Sequence, residues 1–260
     1  MGTVSKKSFT KPISMFKSVS RLVALFLILC LPLDMVAKKG HAGSRLYNPL
    51  PLSNASLISK TVSVSEQIYN NMGLANFGLP RVAFALAMKG FSKLRNKGLI
   101  GTDSVITIID FSKSSKQKRL YVIDLRNQDI VFNTVVAHGR NSGGEYARNF
   151  SNKPSSNKSS LGFYITEGTY SGSNGYSLKL HGAETGFNDK ALARAIVMHG
   201  ADYANEEVVN QKGCLGRSFG CPAVPLKYYK QIINTIKEGN CLFVYYPDKN
   251  YLKKSKLLNG

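Results

Sequence analysis

The chain has 260 residues, 43% of them hydrophobic and 10% aromatic. That is enough apolar material for one or two packed domains, and it argues against a disordered or low-complexity protein. Lys and Arg number 35 against 15 Asp and Glu, a net charge of +20, which suits polyanionic surroundings such as nucleic acid, anionic lipid or an acidic wall polymer, and equally a basic housekeeping surface.

Residues 1–42 read as a secretory leader. Lys6, Lys7, Lys11, Lys17 and Arg21 form a basic start, and Leu22 to Leu33 is an apolar run of 12 residues. A bilayer span needs ~20 apolar residues, so this run fits a signal core better than a membrane helix. Ala37 and Ala42 offer cleavage points. An uncleaved anchor is the competing reading. Cys30 follows Leu-Ile-Leu, without the small residue that precedes a lipidated cysteine. Removal of residues 1–37 leaves 30 Lys and Arg against 14 Asp and Glu, so the basic character belongs to the remainder.

Residues 43–65 are rich in Ser, Asn, Leu and Pro and read as a linker. Residues 66–100 read as a helical lead-in. Its second half places Val82, Ala83, Leu86, Phe91 and Leu94 at helical spacing, with Pro80 at the start and Gly98 past the end. Strand character begins near Gly101. Val105–Asp110, Leu120–Asp124 and Ile130–Val136 are β-branched and aromatic and form an antiparallel meander by pattern. Gly139 to Ser160 is a polar stretch far longer than an ordinary connection, which points to a functional loop. Further strands are expected over Leu161–Thr166, Ser177–His181, Ala195–Met198 and Cys241–Tyr246. A helix is expected over Leu226–Lys237, closed by Gly239. Residues 247–260 read as a basic tail.

Three cysteines follow the leader: Cys214, Cys221 and Cys241. An odd, small number does not make a disulfide framework. Cys241 lies in an apolar strand and reads as core. Cys221 sits in Ser218–Phe219–Gly220–Cys221–Pro222, a small-residue turn. His199 and Gly200 end an apolar strand 22 positions earlier. A thiol attacks as thiolate and needs a base or backbone dipoles to form it. Cys221 is therefore the candidate nucleophile and His199 the candidate base. The Gly200 carbonyl is positioned to hold the imidazole in one tautomer. The N–H groups near Gly220 are candidates for an oxyanion hole, and Ser218 for bonding the turn. Arg217 is the nearest cation suited to a substrate carboxylate. His181–Gly182 is the rival for the base, and a core histidine beside a buried thiol is the alternative to any dyad. His181, His199, Cys214 and Cys221 match no compact zinc spacing, so neither a metal nor another cofactor is expected.

The pairing of Val197–Met198–His199–Gly200 with Ser218–Phe219–Gly220–Cys221 resembles the L,D-transpeptidase catalytic domain, the YkuD-like family, and more narrowly its murein L,D-transpeptidase branch. Thr107–Ser112, Arg119–Leu125, Val136–Gly139, Ser159–Tyr164, Arg194–Tyr203 and Leu215–Val224 carry the likeness, which covers roughly residues 66–246 and is specific at the cysteine turn. The resemblance implies a mostly β, sandwich-like catalytic domain over 101–246, flanked by the helical lead-in and a C-terminal helix. It implies a cysteine that attacks the bond between the third and fourth stem residues of peptidoglycan. The terminal D-Ala leaves, a thioester forms, and an amine or water takes the acyl group. By position Cys221 is the nucleophile, His199 the base, Gly200 its orienter, and Gly220 and Ser218 the turn and oxyanion hole. Ser160–Leu161–Gly162–Phe163–Tyr164 resembles the family's donor-site strand, which implies that Tyr164 touches substrate. Phe219 stands where the broader family often has His. Pro222–Ala223 stand where it often has Arg or Asn, which moves carboxylate recognition to Arg217 or to the 139–160 loop.

The expected protein is an exported transferase of the periplasm or cell wall acting on peptidoglycan stems. It meets a membrane only through an uncleaved leader, and no nucleic-acid motif is present. The alternatives are an L,D-carboxypeptidase on the same fold and a non-catalytic basic protein that binds the wall.

Overall fold

The structure, a computed structural model, describes residues 63–101 and 104–260. The expected leader and nearly all of the expected linker lie outside the described residues. The described chain begins with α1, Val64–Asn71, whose first turn is capped by Ser63 accepting from the Glu66 N–H at 3.2 Å. A 3-10 turn over Leu74–Phe77 leads to α2, Arg81–Asn96. Helix α2 buries Ala83, Phe84, Ala87, Gly90, Phe91 and Leu94, a single stripe at helical spacing.

Eight strands follow: β1 Val105–Asp110, β2 Leu120–Asp124, β3 Asp129–Thr134, β4 Gly162–Gly172, β5 Gly175–Gly182, β6 Val197–Ala201, β7 Ala223–Pro225 and β8 Cys241–Tyr245. They form one sheet in the order β3-β2-β1-β8-β4-β5-β6-β7. The β1–β8 and β6–β7 pairs are parallel and the rest antiparallel. The chain leaving β3 then crosses to the opposite edge. Ala137 exchanges hydrogen bonds with Ala223 at 2.8 and 3.3 Å, and Gly139 pairs with Ser218. The sheet thus bends round on itself, and both of its edges meet at the segment that holds Cys221. The protein is mostly β and sandwich-like, with helices at its two ends.

Helix α2 lies on this sheet at a close contact. A Cβ on Gly90 would stand 2.0 Å from the Phe163 ring of β4. Phe163 stacks in turn on Phe243 of β8, with ring centroids 4.2 Å apart. Burial of each such ring contributes about 2–3 kcal/mol.

Strand β4 runs past the expected Thr166 to Gly172, because its far half pairs with the start of β5 through the Gly172–Gly175 turn. Neither α3, Glu206–Lys212, nor the three-residue β7 was anticipated. Helix α4 is Tyr229–Ile236, shorter than the expected span. Residues 247–260, read as a basic tail, fold as α5, Lys249–Lys254, and α6, Lys256–Asn259. Tyr251, Leu257 and Leu258 are buried there. The Tyr251 and Ser255 hydroxyls both donate to the buried carboxylate of Glu184, which fixes these helices against the start of β4.

Candidate active site

All five residues of β6 are buried. His199 lies on this strand between Ser177 of β5 and Ala223 of β7. Its N–H donates to the Pro222 carbonyl at 3.4 Å, so the residue after Cys221 is tied to the histidine through the backbone. The His199 Nδ1 lies 2.9 Å from the Gly200 carbonyl. A carbonyl only accepts, so Nδ1 carries the proton and Nε2 presents a lone pair. Gly200 has a second reason to be glycine. A Cβ there would lie 2.6 Å from the Tyr229 ring and 2.9 Å from Leu226, where α4 crosses the strand.

The cysteine turn is built from short local bonds. Ser218 Oγ accepts from the Gly220 N–H at 3.1 Å and donates to the Cys221 carbonyl at 2.6 Å. Gly220 has φ of 129°, a conformation that favours glycine. Outside the turn, the Ser218 N–H donates to His138 O at 3.0 Å, and Arg140 N–H to Ser218 O at 2.7 Å. Ser159 Oγ donates to Gly220 O at 3.1 Å. The long 139–160 segment is therefore bonded along the flank of the turn, with its only helical turn over Arg140–Ser142.

Cys221 is buried, with 8% of the residue exposed. Its Sγ accepts from Val197 N–H at 3.5 Å and donates to Ala195 O at 3.7 Å. Burial pushes this thiol above its ordinary pKa, while the Val197 N–H and the nearby Arg194 guanidinium pull the other way. The group rests as a thiol, facing two backbone partners. Among the described residues no hydrogen bond joins it to His199.

Arg194 was not singled out by the sequence. It donates to the carbonyls of Ser151 at 2.8 Å and Lys158 at 2.6 Å, and to the Ser160 and Ser156 hydroxyls. It thereby binds the long loop to the strand that carries the site. Its place in the apolar-adjacent segment before β6 is the one sequence signal that marks it.

Two expectations change on the structure. The Gly220 N–H, a candidate oxyanion donor, is occupied by Ser218 Oγ, which leaves the Phe219 and Cys221 N–H groups as the donors of the turn without a backbone acceptor among the described residues. Tyr164, expected to touch substrate, is 2% exposed. This part of β4 is covered on both faces, with Phe163 buried on one and Tyr164 on the other, and the Tyr164 hydroxyl donates to Ser160 O at 3.0 Å while burial pushes its pKa up. Arg217 is exposed and donates to Gly143 O at 3.2 Å.

The rival base lies elsewhere. His181 is four residues beyond Ser177 on β5, roughly 13 Å along the strand, and pairs with Glu167 at 3.4 Å on the surface. His138, in contrast, is close to the turn but held by Arg119, whose Nη2 lies 2.8 Å from His138 Nδ1. Burial and this guanidinium lower the His138 pKa to about 4. Cys214, Cys221 and Cys241 are all free thiols. Among the described residues no group of three His, Cys, Asp or Glu side chains comes together to hold a metal, and no helix is long and apolar enough to cross a membrane.

Residues 76–245 match the family model described as the L,D-transpeptidase catalytic domain. None of the curated proteins matches the chain. Among solved structures, an L,D-transpeptidase from Mycobacterium smegmatis is 10% identical over 55% of this chain and 59% of its own, with a TM-score of 0.35. An L,D-transpeptidase from Mycobacterium tuberculosis H37Rv is 13% identical over 55% and 58%, with a TM-score of 0.36. The helical cell shape determining protein Pgp2 from Campylobacter jejuni is 13% identical over 66% and 58%, with a TM-score of 0.37. This chain thus spans less than two thirds of the length of these structures. The family model covers well over half of the chain, including β6, the cysteine turn and β7, and the protein belongs to the L,D-transpeptidase catalytic domain family.

Proposed function

We propose that the protein is an exported cysteine L,D-transpeptidase acting on peptidoglycan tetrapeptide stems. The observation that carries this reading is the orientation of His199. Its Nδ1 is held by the Gly200 carbonyl at 2.9 Å, on a strand bonded to the residue after Cys221. That leaves Nε2 to take the thiol proton.

In this reading Cys221 Sγ attacks the carbonyl of the third stem residue as His199 Nε2 takes the thiol proton. The Cys221 N–H stabilises the oxyanion, and the turn that aims it is fixed by Ser218 and Gly220. As the tetrahedral centre collapses, the imidazolium returns the proton to the leaving D-Ala nitrogen. The product is a thioester on Cys221 and free D-Ala. An amine of a second stem then adds to the thioester, giving its proton to His199, and the thiol is released. The basic surface favours the acidic wall polymer. Export rests on the reading of residues 1–42 and is tested by the location of the protein in cell fractions.

Incubation of the full chain with disaccharide-tetrapeptide is expected to release D-Ala and to give a thioester adduct on the peptide bearing Cys221. Cross-linked dimer marks transfer and tripeptide alone marks hydrolysis. Full turnover by Cys221→Ser would end the nucleophile assignment. Wall fragments bound in a salt-dependent way but left unchanged would favour the binding protein instead.

A further inference from the structure

Phe219 is 70% exposed. A single exposed ring is ordinary on a protein surface, but this one stands two residues before the nucleophile and carries a cation. The Arg140 Cζ lies 5.5 Å from the Phe219 ring centroid. The two residues are held together by the Gly139–Ser218 bridge, and among the described residues the exposed Arg140 forms no ion pair. An arginine stacked on a ring keeps the edge of its guanidinium open for two parallel bonds to a carboxylate.

Phe219 also lines a cleft of about 310 Å³, formed with Pro154, Ser155, Asn157, Arg194 and Ala195 among others. Its backbone is unusual. Ser155, Asn157 and Ala195 have φ of 54°, 54° and 53°. They are three of the five non-glycine residues with positive φ among the described residues, and all three line this cleft. Backbone strain of this kind collects where a ligand site is shaped. Ala195 also supplies the carbonyl that faces the Cys221 thiol, so a residue of the cleft wall touches the nucleophile. No carboxylate lines it. Arg194 is engaged with the loop, and Arg217 with Gly143.

We propose that Arg140, stacked on Phe219, receives the free carboxylate of the C-terminal residue of the donor peptide and so positions the adjoining peptide bond over Cys221. The proposal rests on the transpeptidase reading for its choice of ligand, but the anion site has a test that needs no turnover. Alkylation of Cys221 by iodoacetate and by iodoacetamide differs only in the negative charge of the reagent. The rate ratio is read on the Cys221 peptide by mass spectrometry in the full chain. Arg140→Ala is expected to lower the iodoacetate-to-iodoacetamide ratio about fivefold. Arg148→Ala, which removes a charge elsewhere on the same loop, should leave it unchanged. Arg140→Lys should return the ratio to within about twofold of the parent.

With tetrapeptide, Arg140→Ala should raise KM about tenfold for the free D-Ala carboxylate and leave the amidated peptide unaffected. An unchanged alkylation ratio in Arg140→Ala, an equal loss in Arg148→Ala, or no recovery in Arg140→Lys would each overturn the proposal. A lowered ratio in a protein that releases no D-Ala would keep the anion site and reject the transpeptidase reading.

Discussion

Val136–Ala137–His138–Gly139 and Val197–Met198–His199–Gly200 are the same pattern, an apolar pair followed by His-Gly, and they flank the cysteine turn from opposite sides. Ala137 pairs with Ala223 on one side and His199 pairs with Ala223 on the other. Both histidines are buried. They differ in what meets Nδ1. For His199 it is a carbonyl, which leaves Nε2 as a proton acceptor. For His138 it is the Arg119 guanidinium, which claims the lone pair and places the ring proton on Nε2, toward Gly143 O at 3.4 Å. The first ring is arranged to take a proton. The second is arranged to stay neutral down to about pH 4. A shared sequence pattern therefore gives opposite chemistry, and the deciding atom comes from a distant strand.

The largest way to break this comparison is at His199. His199→Ala is expected to lower the rate of D-Ala release about 10²–10⁴-fold, whereas His138→Asn should retain most of the turnover. Comparable losses from both would make the two histidines equivalent.

Next in size is Arg119→Met. The guanidinium is fully buried and donates to Val136 O at 3.0 and 2.8 Å and to Lys113 O at 2.9 Å. Those carbonyls would lose their donors, at a cost of about 3 kcal/mol in urea denaturation. Without the cation, His138 should also protonate at a higher pH.

His138 sharpens the contrast through acid. Its folded pKa is lowered to about 4, while an unfolded histidine titrates near ~6.5. As pH falls below ~6.5 the unfolded chain takes up a proton that the folded chain refuses. Stability is therefore full above that pH and is lost progressively down to about pH 4. The loss is up to roughly 3 kcal/mol. His138→Asn should flatten this part of the stability profile, and an unaltered slope would refute the assignment.

The smallest effect belongs to the third His-Gly pair. His181 and Glu167 are both exposed, so His181→Ala should change stability by no more than about 0.5 kcal/mol and leave D-Ala release alone.

Much of the architecture was legible from local pattern. The meander β1–β2–β3, the strands around Ile165, Leu180 and Val244, and the helices starting near Pro80 and Tyr229 follow from periodicity, capping and Gly/Pro punctuation. The cysteine turn was legible too, because a thiol between Gly and Pro is marked by residue type. Helix α3 and strand β7 were not. Helix α3 has no buried residue to write a stripe in the sequence, and β7 is three residues recruited by neighbouring strands. The C-terminal helices were hidden by their lysines. Their anchor is Glu184, some 70 positions away, which no local pattern reports.

What the sequence determined by itself is the family, the mostly β fold class and the placing of a cysteine in a tight turn after a His-Gly strand end. Those features rest on residue type and near-neighbour spacing, which act through local backbone preference. What only the tertiary structure decided is which histidine is left free to accept a proton, that Tyr164 points into the core, and that Arg140 rather than the core-facing side chains meets the exposed Phe219. Each depends on a partner brought in by sheet closure. A buried group takes its charge state and its reach from that partner and not from its neighbours in the chain.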